Sequence, residues 1–182
     1  LGDKEYLFYK AIPIDVAIIR GTSIDCEGNL TMEEEVGSFA MLSIAQAAKV
    51  RGGIVIAQVK NIHEGHCNSG NVKVPGVFID YVVHEPNQEM TFISNFEPAL
   101  VNRNVPYNAE ESTLFGIKQI VNRRAAFELR NNAFVNLGYG MSDGVPIVSQ
   151  LEDISNQLIF MIEQGAIAGI PTTGLNFGAM YN

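Results

Sequence analysis

Ile14-Asp15-Val16-Ala17-Ile18-Ile19-Arg20 is an apolar run rich in β-branched side chains and reads as a buried strand. Gly21-Thr22-Ser23 ends it, and Asp25-Cys26-Glu27-Gly28-Asn29 carries turn chemistry. The spacing of Val36, Phe39, Ala40, Ile44, Ala47 and Ala48 predicts a helix from about Met32 to Val50. Thr31 is its expected N-cap, Glu34 stands three residues later, and the acidic first turn suits the helix dipole. Arg51-Gly52-Gly53 stops the helix, and Ile54 to Val59 is a second strand. Residues 62–76 are polar and loop-like, and Val77 to Val83 is a third strand. This order of elements predicts α/β layering on a largely parallel sheet.

The pattern resumes further on. Residues 98–112 hold two prolines, several asparagines and Glu110-Glu111, and within them 104–112 reads as a linker. It divides a first part, 1–103, from a second, 113–182. A helix is expected from about Ser112 to Asn131, with Leu114, Ile117, Val121 and Ala125 as its apolar stripe and Arg124 paired to Glu128 at i,i+4. Ala133 to Leu137 is a strand, 138–144 a turn, Val145 to about Gln157 a helix with Pro146 in its first turn, and Leu158 to Ile162 a strand. The two parts are similar in kind, although no repeat of fixed period is present.

Bulk properties narrow the function classes. The chain has 182 residues, 47% apolar and 18% charged, ordinary for a globular protein with a sizeable core. No apolar stretch reaches the ~18 residues of a membrane span. The net charge is −8, divided as −5 over 1–103 and −3 over 104–182, with no basic stripe in either part. General nucleic-acid binding is therefore disfavoured, and an anionic ligand must be held by local features such as backbone N–H groups. Cys26 and Cys67 make no disulfide framework, so a reducing cytoplasm is the default and the sequon at Asn29 is a chance match. The chain begins at Leu1 rather than Met, which suggests a processed or partial product.

Glu163 follows the apolar run 158–162 and is the last charged residue; the 19 positions from Gln164 to Asn182 hold no Asp, Glu, Lys, Arg or His. A carboxylate at the mouth of a buried strand, with no cation near it in sequence, is costly unless it has a task, and is expected to be poorly hydrated. It is a candidate nucleophile or general base. The bland alternative is a strand-end glutamate that caps a helix or faces water. Gly138-x-Gly140-x-x-x-Gly144 directly after a strand suits backbone approach to a phosphate, and equally suits a ligand-free strand-to-helix turn. It matches the dinucleotide fingerprint only weakly: the third glycine comes one place late, and Glu163 lies 25 residues after Gly138. Gly138 and Glu163 would both lie at carboxyl ends of strands, where open α/β sheets bind ligands.

Other motifs read more simply. His63-Glu64-Gly65-His66-Cys67 lacks the spacing of a zinc site and is a solvated loop. His84 follows a strand without an evident partner. Arg123-Arg124 is a helix surface or salt-bridge pair, and Glu33-Glu34-Glu35 a solvated first turn.

Several ordered stretches together are more specific than any single glycine pattern. They are 14–22, 28–33, 72–83, Arg123 to Leu129, Val135 to Gly140, Glu163-Gln164-Gly165 through Pro171, and 174–178. On these the chain resembles the family I CoA-transferases, most closely the acetate/propionate CoA-transferase branch. The resemblance covers nearly the whole chain. It implies two similar, open, mostly parallel α/β lobes that this chain covers only in part: the later part of the first lobe in 1–103 and the start of the second in 113–182.

The same resemblance implies transfer of coenzyme A between a short-chain acyl-CoA and a carboxylic acid such as acetate, through a glutamyl-CoA thioester. Glu163 matches the nucleophile of the family's E-x-G motif. Gly138, Tyr139, Gly140, Met141 and Ser142 match the glycine loop that contacts CoA. Residues 139–142 depart from the family's usual apolar residue and Ile-Pro, which bears on the detailed CoA contacts. No metal and no tightly bound cofactor is implied, since CoA is a substrate. The implied partners are acyl-CoA, a short-chain carboxylate, other segments of the same parent protein and further copies in a homo-oligomer. The family protein is longer at both ends, so the expectation is an internal fragment. Acyl-CoA hydrolysis and non-catalytic CoA or nucleotide binding are the competing readings.

Overall fold

The computed structural model describes residues 3–91, 95–102, 104–105 and 116–181. It divides into two compact units, Leu1–Thr31 with Ala40–Pro86, and Met32–Phe39 with Asn87–Asn182. Of the linker read at 104–112, residues 106–112 lie outside the described residues.

In the first unit the strands are β1 (Val16–Ile24), β2 (Leu30–Thr31), β3 (Ile54–Ile62), β4 (Val72–Val74) and β5 (Tyr81–His84), with helix α1 (Met41–Lys49) between β2 and β3. They form one sheet in the order β4-β2-β1-β3-β5. β1 pairs parallel with β3 from Val16↔Ile54 to Ile24↔Ile62, and β3 pairs parallel with β5. β2 runs antiparallel to β1 and β4, so the sheet is mixed at that edge, while its longer pairings, β1–β3 and β3–β5, are parallel as expected. Ala45 and Ala48 of α1 pack with Ala17, Ile19, Val55, Ala57 and Val59, the alternate residues of one sheet face. Val16 and Ile18 point to the other face and are 51% and 74% exposed, so the stretch expected to be buried throughout is buried on one side.

Several boundaries differ from the sequence expectation. Residues Gly76–Phe78 form a 3-10 turn, so the third long strand starts at Tyr81 rather than Val77, and β3 runs on past Val59 to Ile62. β1 runs through Gly21-Thr22-Ser23 to Ile24. Gly21 is there because β2 passes close by: a side chain at that position would meet the Leu30 side chain at 2.6 Å. The helix begins at Met41 rather than Met32. Thr31 is held in β2 opposite Ser23, and its hydroxyl donates to the Ser23 carbonyl at 3.4 Å, so it is not a cap. Val36 packs on Met90, Leu100 and Ala179 of the second unit's core, and Phe39 has a left-handed φ of 35°. Glu33-Glu34-Glu35 therefore lies in a turn, not in a first helical turn.

In the second unit α2 (Gly116–Ala126), β6 (Ala133–Leu137), α3 (Val145–Leu151) and β7 (Leu158–Ile162) follow the expected order; the start of the first helix, 112–115, lies outside the described residues. α2 ends five residues before the expected Asn131; Asn132 beyond it takes a left-handed φ of 62° and leads into β6. β6 and β7 are parallel neighbours. Leu137, Val145, Phe160, Ile162 and Met180 form the core. After β7 a short antiparallel pair, β8 (Ile170–Pro171) and β9 (Met180–Tyr181), closes the unit. No helix among the described residues is long and apolar enough to cross a membrane.

Candidate active site

The register of β6 on β7 runs from Ala133↔Leu158 to Leu137↔Ile162. The residues that follow, Gly138 and Glu163, therefore leave the sheet side by side at its carboxyl edge. From Gly138 the chain bends through Tyr139, Gly140 and Met141, then makes a short 3-10 turn, Ser142–Gly144, into α3. Gly140 has φ 111°, a conformation that L side chains rarely adopt. The Ser142 hydroxyl donates to the Gly138 carbonyl at 3.1 Å and closes the loop on itself.

After Glu163 the chain reverses. The Gly165 N–H donates to the Ile162 carbonyl at 2.9 Å, and the Ile162 N–H to the Ala166 carbonyl at 3.1 Å. Met161 then bridges antiparallel to Ile167. Gly165, at φ 100°, permits this turn. Ile162 is buried, and strand alternation turns the next side chain the other way, so Glu163 is exposed. The expectation of a poorly hydrated carboxylate is not met within this chain. Among the described residues no cation and no hydrogen-bond donor holds it.

A third segment reaches this edge. Tyr139 packs on Phe177, ring centroids 5.9 Å apart and tilted by 55°. Asp143, 1% exposed, accepts the Gly174 N–H on Oδ2 at 3.2 Å. Lys118 Nζ stands 2.5 Å from Asp143 Oδ1, an ion pair by distance whose approach lies off the direction of a hydrogen bond. Sequence reasoning placed Asp143 only in a turn. The available signal was an acid between Gly140 and Gly144 in a stretch otherwise poor in charge.

The other candidates fall elsewhere or pair structurally. His66 Nδ1, on the loop after β3, lies 3.6 Å from Cys26 Sγ and 3.8 Å from Glu27 in the turn after β1, all exposed and in the first unit. No group of three or more His, Cys, Asp or Glu among the described residues is placed to hold a metal ion. His84 does have a partner: it lies in β5 with Nε2 3.1 Å from the Lys60 carbonyl oxygen. Arg123 pairs with Glu152 at 3.1 Å, and Arg124 with Glu128. A cleft of about 200 Å³ is lined by Arg123, Ala126, Phe127, Glu152 and Ile154. It sits by the segments that lead into the amino ends of β6 and β7, away from Glu163.

Comparison with known proteins bears on family and fold. A profile of the Coenzyme A transferase family matches residues 1–85. Over 187 aligned positions the chain is 38% identical to acetate CoA-transferase YdiF of Escherichia coli O157:H7, covering 99% of this chain and 34% of that protein. The chain belongs to the Coenzyme A transferase family. It is also 39% identical to the caffeate CoA-transferase of Acetobacterium woodii, over 98% of this chain and 35% of that protein. This CoA-transferase family chain thus spans about a third of the length of these relatives. The crystal structure of acyl-CoA transferase YdiF from E. coli O157:H7, a thioester complex with CoA, matches all of it with a TM-score of 0.80 and 34% identity, over 36% of that chain. Family and α/β fold are therefore as the sequence motifs implied.

Proposed function

We propose that the protein containing this chain transfers coenzyme A between a short-chain acyl-CoA and a carboxylic acid such as acetate, with Glu163 as the nucleophile. The observation that carries this reading is the Leu137↔Ile162 register, which sets the 138–142 loop beside Glu163 in a chain of this family. The Glu163 carboxylate attacks the thioester carbonyl, giving an acyl-glutamyl anhydride and CoA thiolate. The thiolate attacks the glutamyl carbonyl, forming a glutamyl-CoA thioester and releasing the first acid. An incoming carboxylate runs the two steps in reverse. Backbone N–H groups of Gly138, Tyr139, Gly140, Met141 and Ser142 contact CoA and are suited to stabilise the oxyanion. Binding energy from CoA groups remote from the thioester drives the reaction.

The chemistry favours a partly dry site. In this reading bound CoA and the remaining segments of the parent protein cover the exposed Glu163. The 104–112 stretch links the two lobes in sequence, and the enzyme works as a cytoplasmic homo-oligomer.

The test uses full-length protein and acetyl-CoA. Hydroxylamine or borohydride trapping followed by peptide mapping is expected to find the adduct at Glu163, and Glu163→Ala to abolish transfer. An adduct at another residue, or full activity in Glu163→Ala, overturns the proposal.

A further inference from the structure

We infer that Asp143 is a positioning residue: it latches the 174–178 segment to the glycine loop and so shapes the rim around Glu163. This rests on the reading of Glu163 as nucleophile. Asp143 is the residue next to Ser142, its side chain is 1% exposed, and its Oδ2 holds the backbone N–H of Gly174. A buried carboxylate is costly, and an apolar side chain of similar size would fill the same space at less cost. What the carboxylate supplies, and an apolar group cannot, is an acceptor for a backbone on another segment. Lys118, with its side chain 34% exposed, offsets the charge from α2 and leaves Oδ2 for Gly174.

Two further observations connect the latch to the nucleophile. Tyr139 and Phe177 join the same two segments a few residues away on each. The segment also passes beside the residue after Glu163: a Cβ built on Gly178 would lie 3.5 Å from Gln164 Nε2. Lys118 and Asp143 are thus joined to the 174–178 segment, which lies beside the Gln164 side chain at its Gly178 end.

The experiment compares Asp143→Ala, Asp143→Asn and Glu163→Ala in the full-length protein. Steady-state kcat and KM, the rate of trapped adduct formation at residue 163, and Tm are measured for each. Asp143→Ala is expected to lower kcat and the adduct rate together, by roughly tenfold to a hundredfold, with little change in KM for acyl-CoA. Asp143→Asn keeps an oxygen for Gly174 and is expected to recover most of the loss. Should Asp143→Ala not fold, Asp143→Ser replaces it, since its hydroxyl is too short to reach Gly174. A lowered Tm with unchanged kcat and adduct rate would overturn the latch, as would an Asp143→Asn defect equal to that of Asp143→Ala. An active Glu163→Ala would instead sink the reading of the nucleophile; a dead Glu163→Ala beside a fully active Asp143→Ala sinks the latch alone.

Discussion

Leu137 and Ile162 are the last register partners of the parallel β6–β7 pair, 4% and 1% exposed, and each is followed at once by a residue of the candidate site. A slip of one residue along either strand would turn a buried apolar side chain out and its neighbour in, so burial of this pair fixes which backbones share the carboxyl edge. The positions of Gly138 and Glu163 are set by core packing, not by contact with each other.

Gly165 tests how firmly the turn holds the carboxylate. An alanine there would have no atom within 4 Å of its Cβ, so its cost lies in the backbone, at φ 100°. Strain of about 1–2 kcal/mol is expected to shift the turn rather than unfold the unit. Gly165→Ala in the full-length enzyme should therefore lower kcat for CoA transfer with KM for acyl-CoA nearly unchanged. Unchanged kcat would show that the turn tolerates the substitution.

Transfer and hydrolysis diverge when no acceptor acid is present. If the intermediate is resolved by a carboxylate, acetyl-CoA alone should give at most a stoichiometric release of free thiol, and added propionate should start turnover. Sustained thiol release without acceptor, followed with a thiol reagent, would identify a hydrolase.

Among the described residues Phe160 is the largest fully buried side chain, and it sits at the centre of β7, 1% exposed. Phe160→Ala should cost about 3–5 kcal/mol of the second unit's stability. Hydrogen exchange of the β6 and β7 amides reads this directly, and protection there should fall while that of β1 and β3 stays near its wild-type level.

Asp25 makes a pH prediction. Burial pushes its carboxyl up, but hydrogen bonds from the Asn29 backbone and side chain and from the backbone N–H groups of Cys67 and Glu27 outweigh that, lowering it from 3.8 to about 2. The folded state therefore binds this proton more weakly than the unfolded state. The stability it contributes is fully present above pH about 4 and is lost as pH falls through about 2. The stability difference between wild type and Asp25→Asn should be constant above that window and shrink within it, as measured by denaturant titration at stepped pH. A difference that does not change with pH would refute the assignment.

What could be read from the sequence was local. β6, the turn after it, α3 with its proline, and β7 each announce themselves through apolar runs and turn residues within a few positions. The helical spacing that began at Val36 misled because that side chain belongs to a core built with Met90, Leu100 and Ala179. β2 and β4, two and three residues long, are too short to show any periodicity. Asp143 escaped notice because its meaning depends on Gly174, 31 residues away, and on Lys118 of a preceding helix. Glu163 stands out as a candidate by its isolation from other charges, yet its exposure follows from strand alternation after Ile162, which the apolar run alone does not reveal.

The hairpin at residues 162–166 anchors the Glu163 main chain on both sides, by the Gly165-to-Ile162 and Ile162-to-Ala166 bonds. A side chain mounted in this way swings about its own bonds, while its Cα is tied to the end of β7. A two-stroke reaction run from such a mount needs the thioester and then the acid to be delivered to a stationary post. Movement between the strokes must then come from the ligand's arm and from whatever closes over it.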